Sequence, residues 1–362
     1  MKTIRSIIIC LLPAISCVAL ADTEIDRLVE QTGVKIGLVA VRDLPGWREP
    51  RKIIVRDYGG LYAAVDGTVS GIELVRARTV AEAIRHAADA DAIIGFCSDE
   101  IVAAAPKVLW IQIFSAGAER CLAVERVGNA EIMLTNMQKM SSPVIGEHAI
   151  AMTLSLVRGL VGFAKTMPDS DGSGIINSLQ SVSGKTMLVV GLGGIGTEVA
   201  RRAAALGMHV TATRRSSKNG PDFVDYVGLS NELYDLAAQA DVIVNALPLT
   251  NATTGIFNDV FFAAAKRGAY FINVGRGKSV VTADLVAALE SGQIGGAGLD
   301  VSDPEPLPSD HALWKMNNVI ISPHVAGRGG NRTRHGILIK ENLRRFAAGD
   351  KLFNVVDPEL GY

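Results

Sequence analysis

The sequence has few cysteines, few aromatic residues and almost no excess of charge of either sign, and each of these would otherwise point to a particular class of protein. It has 4 cysteines in 362 residues, too few for a disulfide-based scaffold. Aromatic residues make up 5% of the chain, so a surface of rings that stacks on single-stranded nucleic acid or glycans is not favoured. Lys and Arg total 36 against 37 Asp and Glu, a net charge of −1, which gives no reason to expect a nucleic-acid partner or an anionic membrane surface.

The chain does have the length and apolar content of a two-domain globular protein. It is 48% hydrophobic over 362 residues, whereas single hydrophobic cores stop growing at about 250–300 residues. Short apolar runs alternate with segments of helical periodicity along most of the chain. This alternation is typical of parallel sheets covered by helices on both faces, so the sequence predicts an α/β fold.

The first residues form a segment of a different kind. Lys2 and Arg5 precede an apolar run at residues 7–20, which ends in an Ala-Leu-Ala triplet at Ala21. This pattern predicts a signal peptide over residues 1–21, and the run is shorter than the about 20 residues that span a bilayer. The mature protein is then expected to be periplasmic or secreted, without a stable membrane span. The alternative is a buried first strand or helix in a protein that stays cytoplasmic.

A glycine-rich turn lies in the context that binds dinucleotides. The segment GLGGIG at residues 191–196 follows an apolar strand at 186–190 and opens an amphipathic helix, as G-x-G-x-x-G requires. Gly191 permits the tight turn, Gly193 lets a pyrophosphate approach the backbone, and Gly196 lets the helix pack on the strand. A plain turn between strand and helix is the alternative. The predicted cofactor contacts here are Gly191, Gly193, Gly194, Ile195 and Gly196.

The end of the next strand distinguishes the two nicotinamide cofactors. NAD-binding turns carry Asp or Glu there to hold the ribose 2′-hydroxyl. This chain has Arg214, Arg215 and Ser216, and no acidic residue from 199 to 221. Guanidinium and hydroxyl groups bind a 2′-phosphate through charge-assisted hydrogen bonds. The sequence therefore predicts NADP(H) in preference to NAD(H), with NAD(H) still possible and a solvated basic loop as the alternative.

Several downstream motifs resemble one known family, the D-isomer-specific 2-hydroxyacid dehydrogenases. They are FINVGRG at 271–277, GLDV at 298–301 followed by Glu305-Pro306, ISPH at 321–324, and PLT at 248–250 with Thr253. The resemblance covers roughly residues 92–354 and depends on the order and spacing of independent motifs.

The resemblance implies a catalytic set of three residues. Arg276 would bind the substrate carboxylate and polarise its keto oxygen, His324 would be the proton donor in reduction, and Glu305 would hold the imidazole. The chemistry needs these types, because hydride attack on a ketone leaves negative charge on oxygen, which an acid within hydrogen-bond reach must neutralise. A carboxylate on the second imidazole nitrogen fixes the tautomer, and a guanidinium matches a carboxylate bidentately. Taken singly, each residue is as well explained as a surface charge or a strand-end cap.

The resemblance also implies the remaining contacts to both ligands. Backbone N–H groups at Ala116 and Gly117 would meet the substrate carboxylate, and Asp300 would contact the nicotinamide carboxamide. The other expected cofactor contacts are Leu247, Pro248, Thr253, Val274, Gly275, Arg276, His324 and Gly327. Residues 118–121, Ala-Glu-Arg-Cys, depart from the usual acidic position of the family. The remaining histidines, His148 among them, carry no comparable pattern, and no metal site is predicted.

The implied architecture is a Rossmann-type dinucleotide-binding domain inserted in a flavodoxin-like α/β substrate domain. Residues 22–140 plus 330–362 would form the substrate domain, and residues 141–329 the NADP-binding domain. The expected activity of this homodimer is hydride transfer between NADPH and a small 2-keto acid, giving the D-2-hydroxy acid. Two alternatives stay open: a dehydrogenase of a small anion such as formate, against which Glu305 argues, and a cofactor-sensing regulatory protein on the same fold.

Overall fold

The computed structural model describes residues 24–167, 172–330 and 332–361, so the predicted leader lies outside the described residues. The strands are β1 Ile36–Ala40, β2 Lys52–Arg56, β3 Glu73–Ala77, β4 Ala92–Ile94, β5 Trp110–Gln112, β6 Met133–Thr135, β7 Thr186–Val190, β8 His209–Arg214, β9 Tyr226–Leu229, β10 Val242–Asn245, β11 Ala269–Asn273, β12 Ile294–Leu299, β13 Val319–Ile321 and β14 Lys351–Phe353. The helices are α1 (residues 24–32), α2 Leu61–Val65, α3 Val80–Ile84, α4 Asp99–Ala104, α5 Glu119–Leu122, α6 Glu125–Gly128, α7 Ser142–Val157, α8 Leu160–Thr166, α9 Ser173–Ile176, α10 Gly194–Ala205, α11 Leu233–Ala237, α12 Asp259–Ala264, α13 Thr282–Glu290 and α14 Arg332–Ala347.

Two parallel sheets organise the described chain and confirm the predicted α/β class. The first has five strands in the order β3-β2-β4-β5-β6, and the second has seven in the order β13-β12-β11-β10-β7-β8-β9. In the second sheet the chain runs outward from β7 in one direction and from β10 in the other. The carboxyl ends of β7 and β10 therefore meet at a topological switch point, where sheets of this kind bind ligands.

Continuous apolar runs explain why these strands lie inside. Strand β7 is buried from its second residue on, and β4 is buried throughout. Strands covered on both faces require such runs, in contrast to the alternating pattern of a strand with one wet face. Helix α10 packs on β7 through Val199, Ala200 and Ala203, which have no exposed surface.

A small antiparallel pair joins the two ends of the described chain. Strand β1 pairs with β14 through Ile36 opposite Phe353 and Ala40 opposite Lys351. The mixed pattern of residues 22–50 predicted a lead-in that wraps the surface and gave no sign of α1 and β1, which this region contains. The reason is that the partner of β1 lies more than 300 residues further along the chain, and three of the five β1 residues are exposed.

The helical periodicity of residues 143–161 predicts one long helix, which the structure divides into α7 and α8. The break is at Gly159, which has φ +65° and closes α7 in the left-handed conformation that favours glycine. In the part of the chain that the structure describes, no single helix is long and apolar enough to cross a membrane. Helices α7 and α8 reach that length and composition together, but they are bent by 64°.

Candidate active site

Three neighbouring strands of the seven-stranded sheet bring two candidate catalytic residues and one predicted cofactor contact to the same end of the sheet. Strands β11, β12 and β13 lie side by side and run parallel. Arg276 follows β11, Asp300 follows β12 and His324 follows β13. The backbone N–H of Asp300 donates to the carbonyl of Asn273 at 3.0 Å, and that of His324 donates to the carbonyl of Asp300 at 2.8 Å. These bonds hold the three strand ends together beyond the sheet itself.

The histidine and the glutamate predicted to be its partner are in contact. His324 Nδ1 lies 2.7 Å from Glu305 Oε1, and the two side chains are 49% and 43% exposed. His324 has φ +52°, an uncommon conformation for a residue with a β-carbon. Because Glu305 engages Nδ1, the ring presents Nε2 as the nitrogen for a ligand.

Arg276 contacts the loop of the five-stranded sheet in which the substrate contacts were predicted. Its Nε donates to Glu119 Oε1 at 2.9 Å, and its Nη1 donates to the carbonyl of Gly275 at 2.8 Å. A β-carbon at Gly117 would lie only 1.9 Å from Arg276 Nη2, so a side chain there would require the guanidinium to shift. The carbonyl of Ala116 accepts a bond from the Asn136 side chain at 2.7 Å. The structure thus brings Gly117 and Arg276 together, and adds Glu119, to which the sequence assigned no role.

A buried amide network holds the backbone of Arg276. Asn245 Nδ2 donates to Asn273 Oδ1 at 2.9 Å and to Ser279 Oγ at 2.7 Å. Asn273 Nδ2 and Ser279 Oγ in turn donate to the carbonyl of Arg276, at 3.1 and 2.6 Å. The sequence did carry a signal for this network, since both Asn245 and Asn273 are polar residues that end buried apolar strands.

Asp300 holds the turn that follows β13. Its side chain is 3% exposed and accepts bonds from the N–H groups of Val325 and Ala326, at 2.9 and 3.0 Å. Ser322 Oγ donates to the same carboxylate at 2.6 Å and lies 2.8 Å from His148 Nε2. His148, for which the sequence predicted no site role, is therefore part of the support for this turn. The contact of Asp300 with a nicotinamide stays a prediction.

The glycine turn has the room and the conformation that a dinucleotide requires. Gly191 has φ +96°, and a β-carbon at Gly196 would lie 2.2 Å from the carbonyl oxygen of Gly191. A β-carbon at Gly193 would meet nothing within 4 Å, so this position borders open space at the N-terminus of α10. Leu247 lies beside the turn, with its Cδ2 3.0 Å from the β-carbon that Gly191 lacks.

Positive charge gathers beside this turn. The Nε of Arg214 is buried and has no hydrogen-bond partner among the described residues. Lys139, which the sequence did not single out, lies with its Cγ 2.9 Å from where a β-carbon of Gly194 would be. Burial lowers the pKa of Lys139 below its ordinary value of 10.5, and the charges of Lys35 and Arg214 lower it further. A buried orphan donor among like charges fits the phosphate of a dinucleotide.

The remaining predicted contacts lie on loops around the same edge. Thr253 Oγ1 donates to the carbonyl of Pro248 at 2.7 Å, which closes the loop after β10. The others are Ile195 in the first turn of α10, Arg215 and Ser216 exposed after β8, Val274 and Gly275 after β11, and Gly327 near Ser141 and Ile145.

Comparison with known proteins identifies the family. Residues 150–326 match the model of the D-isomer specific 2-hydroxyacid dehydrogenase, NAD binding domain. The glyoxylate reductase of Korarchaeum cryptofilum is 30% identical over 289 residues, which are 76% of this chain and 86% of that protein. The human glyoxylate reductase/hydroxypyruvate reductase is 38% identical over 169 residues, 46% of this chain and 51% of that protein. An uncharacterised Corynebacterium melassecola protein is 39% identical over 49% of this chain and 59% of its own length.

Comparison with solved structures indicates the same family. The NADPH-dependent glyoxylate/hydroxypyruvate reductase of Sinorhizobium meliloti, in complex with NADP and sulfate, superposes with a TM-score of 0.74 at 28% identity. That match covers 86% of this chain and 100% of the other. The chain belongs to the D-isomer specific 2-hydroxyacid dehydrogenase family. Membership confirms the resemblance of the motifs, the Rossmann-type dinucleotide-binding unit and the class of enzyme, an NAD(P)-dependent 2-hydroxyacid dehydrogenase.

Proposed function

We propose that this protein reduces small 2-keto acids to D-2-hydroxy acids with NADPH, with Arg276, Glu305 and His324 as its catalytic residues. The observation that carries the proposal is the 2.7 Å contact between His324 Nδ1 and Glu305 Oε1. It lies at the carboxyl ends of the parallel strands, where Arg276 also lies. The names of the relatives support a small substrate, since several are glyoxylate or glyoxylate/hydroxypyruvate reductases.

The proposed chemistry divides between these three side chains. The guanidinium of Arg276 binds the substrate carboxylate and polarises the keto oxygen. When bound, the reduced nicotinamide supplies the hydride. His324 donates the proton on Nε2 to the oxygen that becomes the hydroxyl. Glu305 stabilises the imidazolium before this transfer and keeps the ring oriented after it.

The described residues fit NADP(H). Gly193 faces open space at the N-terminus of α10, where N–H groups and the helix dipole favour a pyrophosphate. The unpartnered Nε of Arg214, with Arg215 and Ser216 after it, would hold a 2′-phosphate. A solved neighbour from Xanthobacter autotrophicus contains NADPH, at a TM-score of 0.73 and 26% identity. NAD(H) lacks the phosphate that these groups would bind and is expected to bind more weakly.

Turnover measurements test this function directly. The full chain is assayed by NADPH oxidation with glyoxylate, hydroxypyruvate and phenylpyruvate, and the configuration of the product is determined. His324→Ala is expected to lower kcat by about 10²–10⁴-fold with little change in NADPH affinity, whereas His209→Ala, an exposed histidine on β8, should leave both unchanged. Tight NADPH binding without turnover of any keto acid would favour a regulatory protein instead.

We also propose export to the periplasm or the outside of the cell after removal of residues 1–21. The pairing of Cys97 with Cys121 supports this proposal, because disulfides persist mainly in oxidising compartments. N-terminal sequencing of the mature protein is expected to begin near Asp22. A chain that keeps Met1, or that fractionates with the cytoplasm, would overturn the export proposal.

The division into domains and the assembly state complete the proposal. Residues 22–140 plus 330–362 would be the substrate domain and residues 141–329 the NADP-binding domain. This division is supported by the two sheets, whose strands fall between residues 52–135 and 186–321. Limited proteolysis should cut first near residue 330, where residues 327–329 are exposed. A homodimer is the commonest closed assembly, and sedimentation analysis would detect it.

A further inference from the structure

Glu119 lies where the two sheets meet at the site. It is the first residue of α5, directly after the loop that contains Gly117, and it pairs with Arg276, 157 residues further along the chain. A β-carbon at Gly117 would lie 2.5 Å from Glu119 Oε2 and 1.9 Å from Arg276 Nη2. The carboxylate and the guanidinium therefore border the same short stretch of loop.

The pairing determines which N–H groups of the Arg276 guanidinium are available to a substrate. An arginine side chain has five N–H donors in a rigid plane. In this structure Nε donates to Glu119 at 2.9 Å and Nη1 donates to the carbonyl of Gly275 at 2.8 Å. Two separate acceptors thus fix the plane, and Nη2, beside Gly117, is the group directed at the loop. A substrate carboxylate would meet a guanidinium that is already oriented.

The position of Glu119 is itself restrained. The disulfide between Cys121 and Cys97 ties α5 to the segment that follows β4. The side chains of Glu119 and Arg276 are 35% and 28% exposed, so water screens their charges less than it would at an open surface. The negative charge of Glu119 is therefore held at a defined place in the substrate cleft.

The charge balance limits what this cleft accepts. A substrate with one carboxylate adds one negative charge to a region that holds Arg276, Glu119 and the His324–Glu305 pair. A second carboxylate on the same small molecule would add a further negative charge to a cleft that already holds the charge of Glu119, while Nε and Nη1 of Arg276 already have acceptors in the protein. Like charges in one half-buried cleft oppose each other more strongly than they do in open water.

We propose that Glu119 is a positioning and specificity residue that orients Arg276 and discriminates against 2-keto acids with a second negative charge. This inference rests on the proposed 2-keto acid reductase activity, which it deepens by naming the substrate class as monoanionic.

The test uses substrate pairs that differ mainly in charge, hydroxypyruvate against ketomalonate and 2-oxobutyrate against oxaloacetate. The wild type is expected to favour the monoanion of each pair. Glu119→Gln keeps an oxygen that can accept from Arg276 Nε but removes the charge. It should raise the dianion/monoanion ratio of kcat/KM by about 10- to 100-fold, chiefly through a lower KM for the dianion.

Two further variants separate the two roles of the side chain. Glu119→Asp keeps the charge and should retain the wild-type preference. Glu119→Ala removes both the charge and the acceptor, so it should relax selectivity and also raise the KM of the monoanion. Glu125→Gln, at an exposed position on α6, is the matched control and should change neither quantity.

An unchanged ratio in Glu119→Gln would overturn the proposal. A wild type that prefers the dianion would overturn it as well. If the wild type turns over no keto acid, the proposed function has failed, and calorimetric titration with oxamate and oxalate in the presence of NADPH still tests charge selection. Equal relative affinities of the wild type and Glu119→Gln for these two anions would refute it.

Discussion

Replacing Asn245 with alanine should damage stability and catalysis together. Asn245 has no exposed surface, and its side chain makes three hydrogen bonds. It donates to Asn273 and Ser279 and accepts from the N–H of Leu247 at 3.0 Å. Leu247 lies beside the glycine turn, while Asn273 and Ser279 hold the carbonyl of Arg276. One side chain therefore supports both halves of the site.

The size of the effect follows from the partners that alanine leaves behind. A buried polar group without a partner costs about 1–3 kcal/mol. The N–H of Leu247 loses its acceptor, Asn245 Oδ1, which is a full loss. Ser279 Oγ and Asn273 Oδ1 each lose one partner and keep another, because Ser279 Oγ still donates to the carbonyl of Arg276 and Asn273 Oδ1 still accepts from the N–H of Gly275 at 3.1 Å. We therefore expect a loss of about 3 kcal/mol in the free energy of unfolding, of which about 2 kcal/mol comes from the N–H of Leu247 and the rest from the two partial losses. A shift of the Arg276 backbone by a fraction of an ångström should lower kcat/KM by about 10- to 100-fold.

Urea unfolding and steady-state kinetics, the latter under conditions where both proteins are folded, measure the two effects. Asn258→Ala is the matched control, because Asn258 caps α12 by accepting from the N–H of Phe261 at 3.1 Å. Loss of this cap should cost about 1 kcal/mol without changing the kinetics. The reasoning would be refuted if Asn245→Ala unfolds within 1 kcal/mol of the wild type, or if it loses stability while kcat/KM stays at the wild-type value.

Three further predictions concern the cofactor and the fold. Arg214→Asp should shift the preference from NADPH towards NADH, and an unchanged ratio of their dissociation constants would contradict the 2′-phosphate assignment. Gly193→Ala should fold normally, because its β-carbon meets nothing within 4 Å in the protein, but should bind NADPH more weakly, because that open space is where the pyrophosphate is expected. Gly196→Ala should be strongly destabilised, because a backbone oxygen would lie 2.2 Å from its β-carbon. Equal stability of the two variants would count against this account. Removal of the Cys97–Cys121 link, whose sequence separation is 24 residues, should lower the free energy of unfolding by about 3 kcal/mol. Because Cys10 and Cys17 lie within residues 1–21, a thiol titration that finds two free thiols in the native protein without residues 1–21 would exclude the link.

Local patterns predicted the strands and the cofactor-binding turn well. Strand β7 has the predicted bounds, Thr186–Val190, and the helix expected at 195–206 is Gly194–Ala205. A buried strand followed by a glycine turn and an amphipathic helix is specified within about 20 consecutive residues, so the chain order alone is informative. The pairing of β1 with β14 could not be predicted in this way, because neither strand carries a sign of its partner.

The order of the motifs in the sequence determined the family, the cofactor class and the identity of Arg276, Glu305 and His324 as candidates, because each motif is a short string at the end of a strand. Only the tertiary structure decided which other groups meet them. It placed Glu119 against Arg276 and Lys139 against the glycine turn, contacts between residues far apart in sequence. Such pairings depend on how the two sheets pack. The sequence shows that a residue is charged, but it does not show whether the charge is solvated by water or paired with a guanidinium.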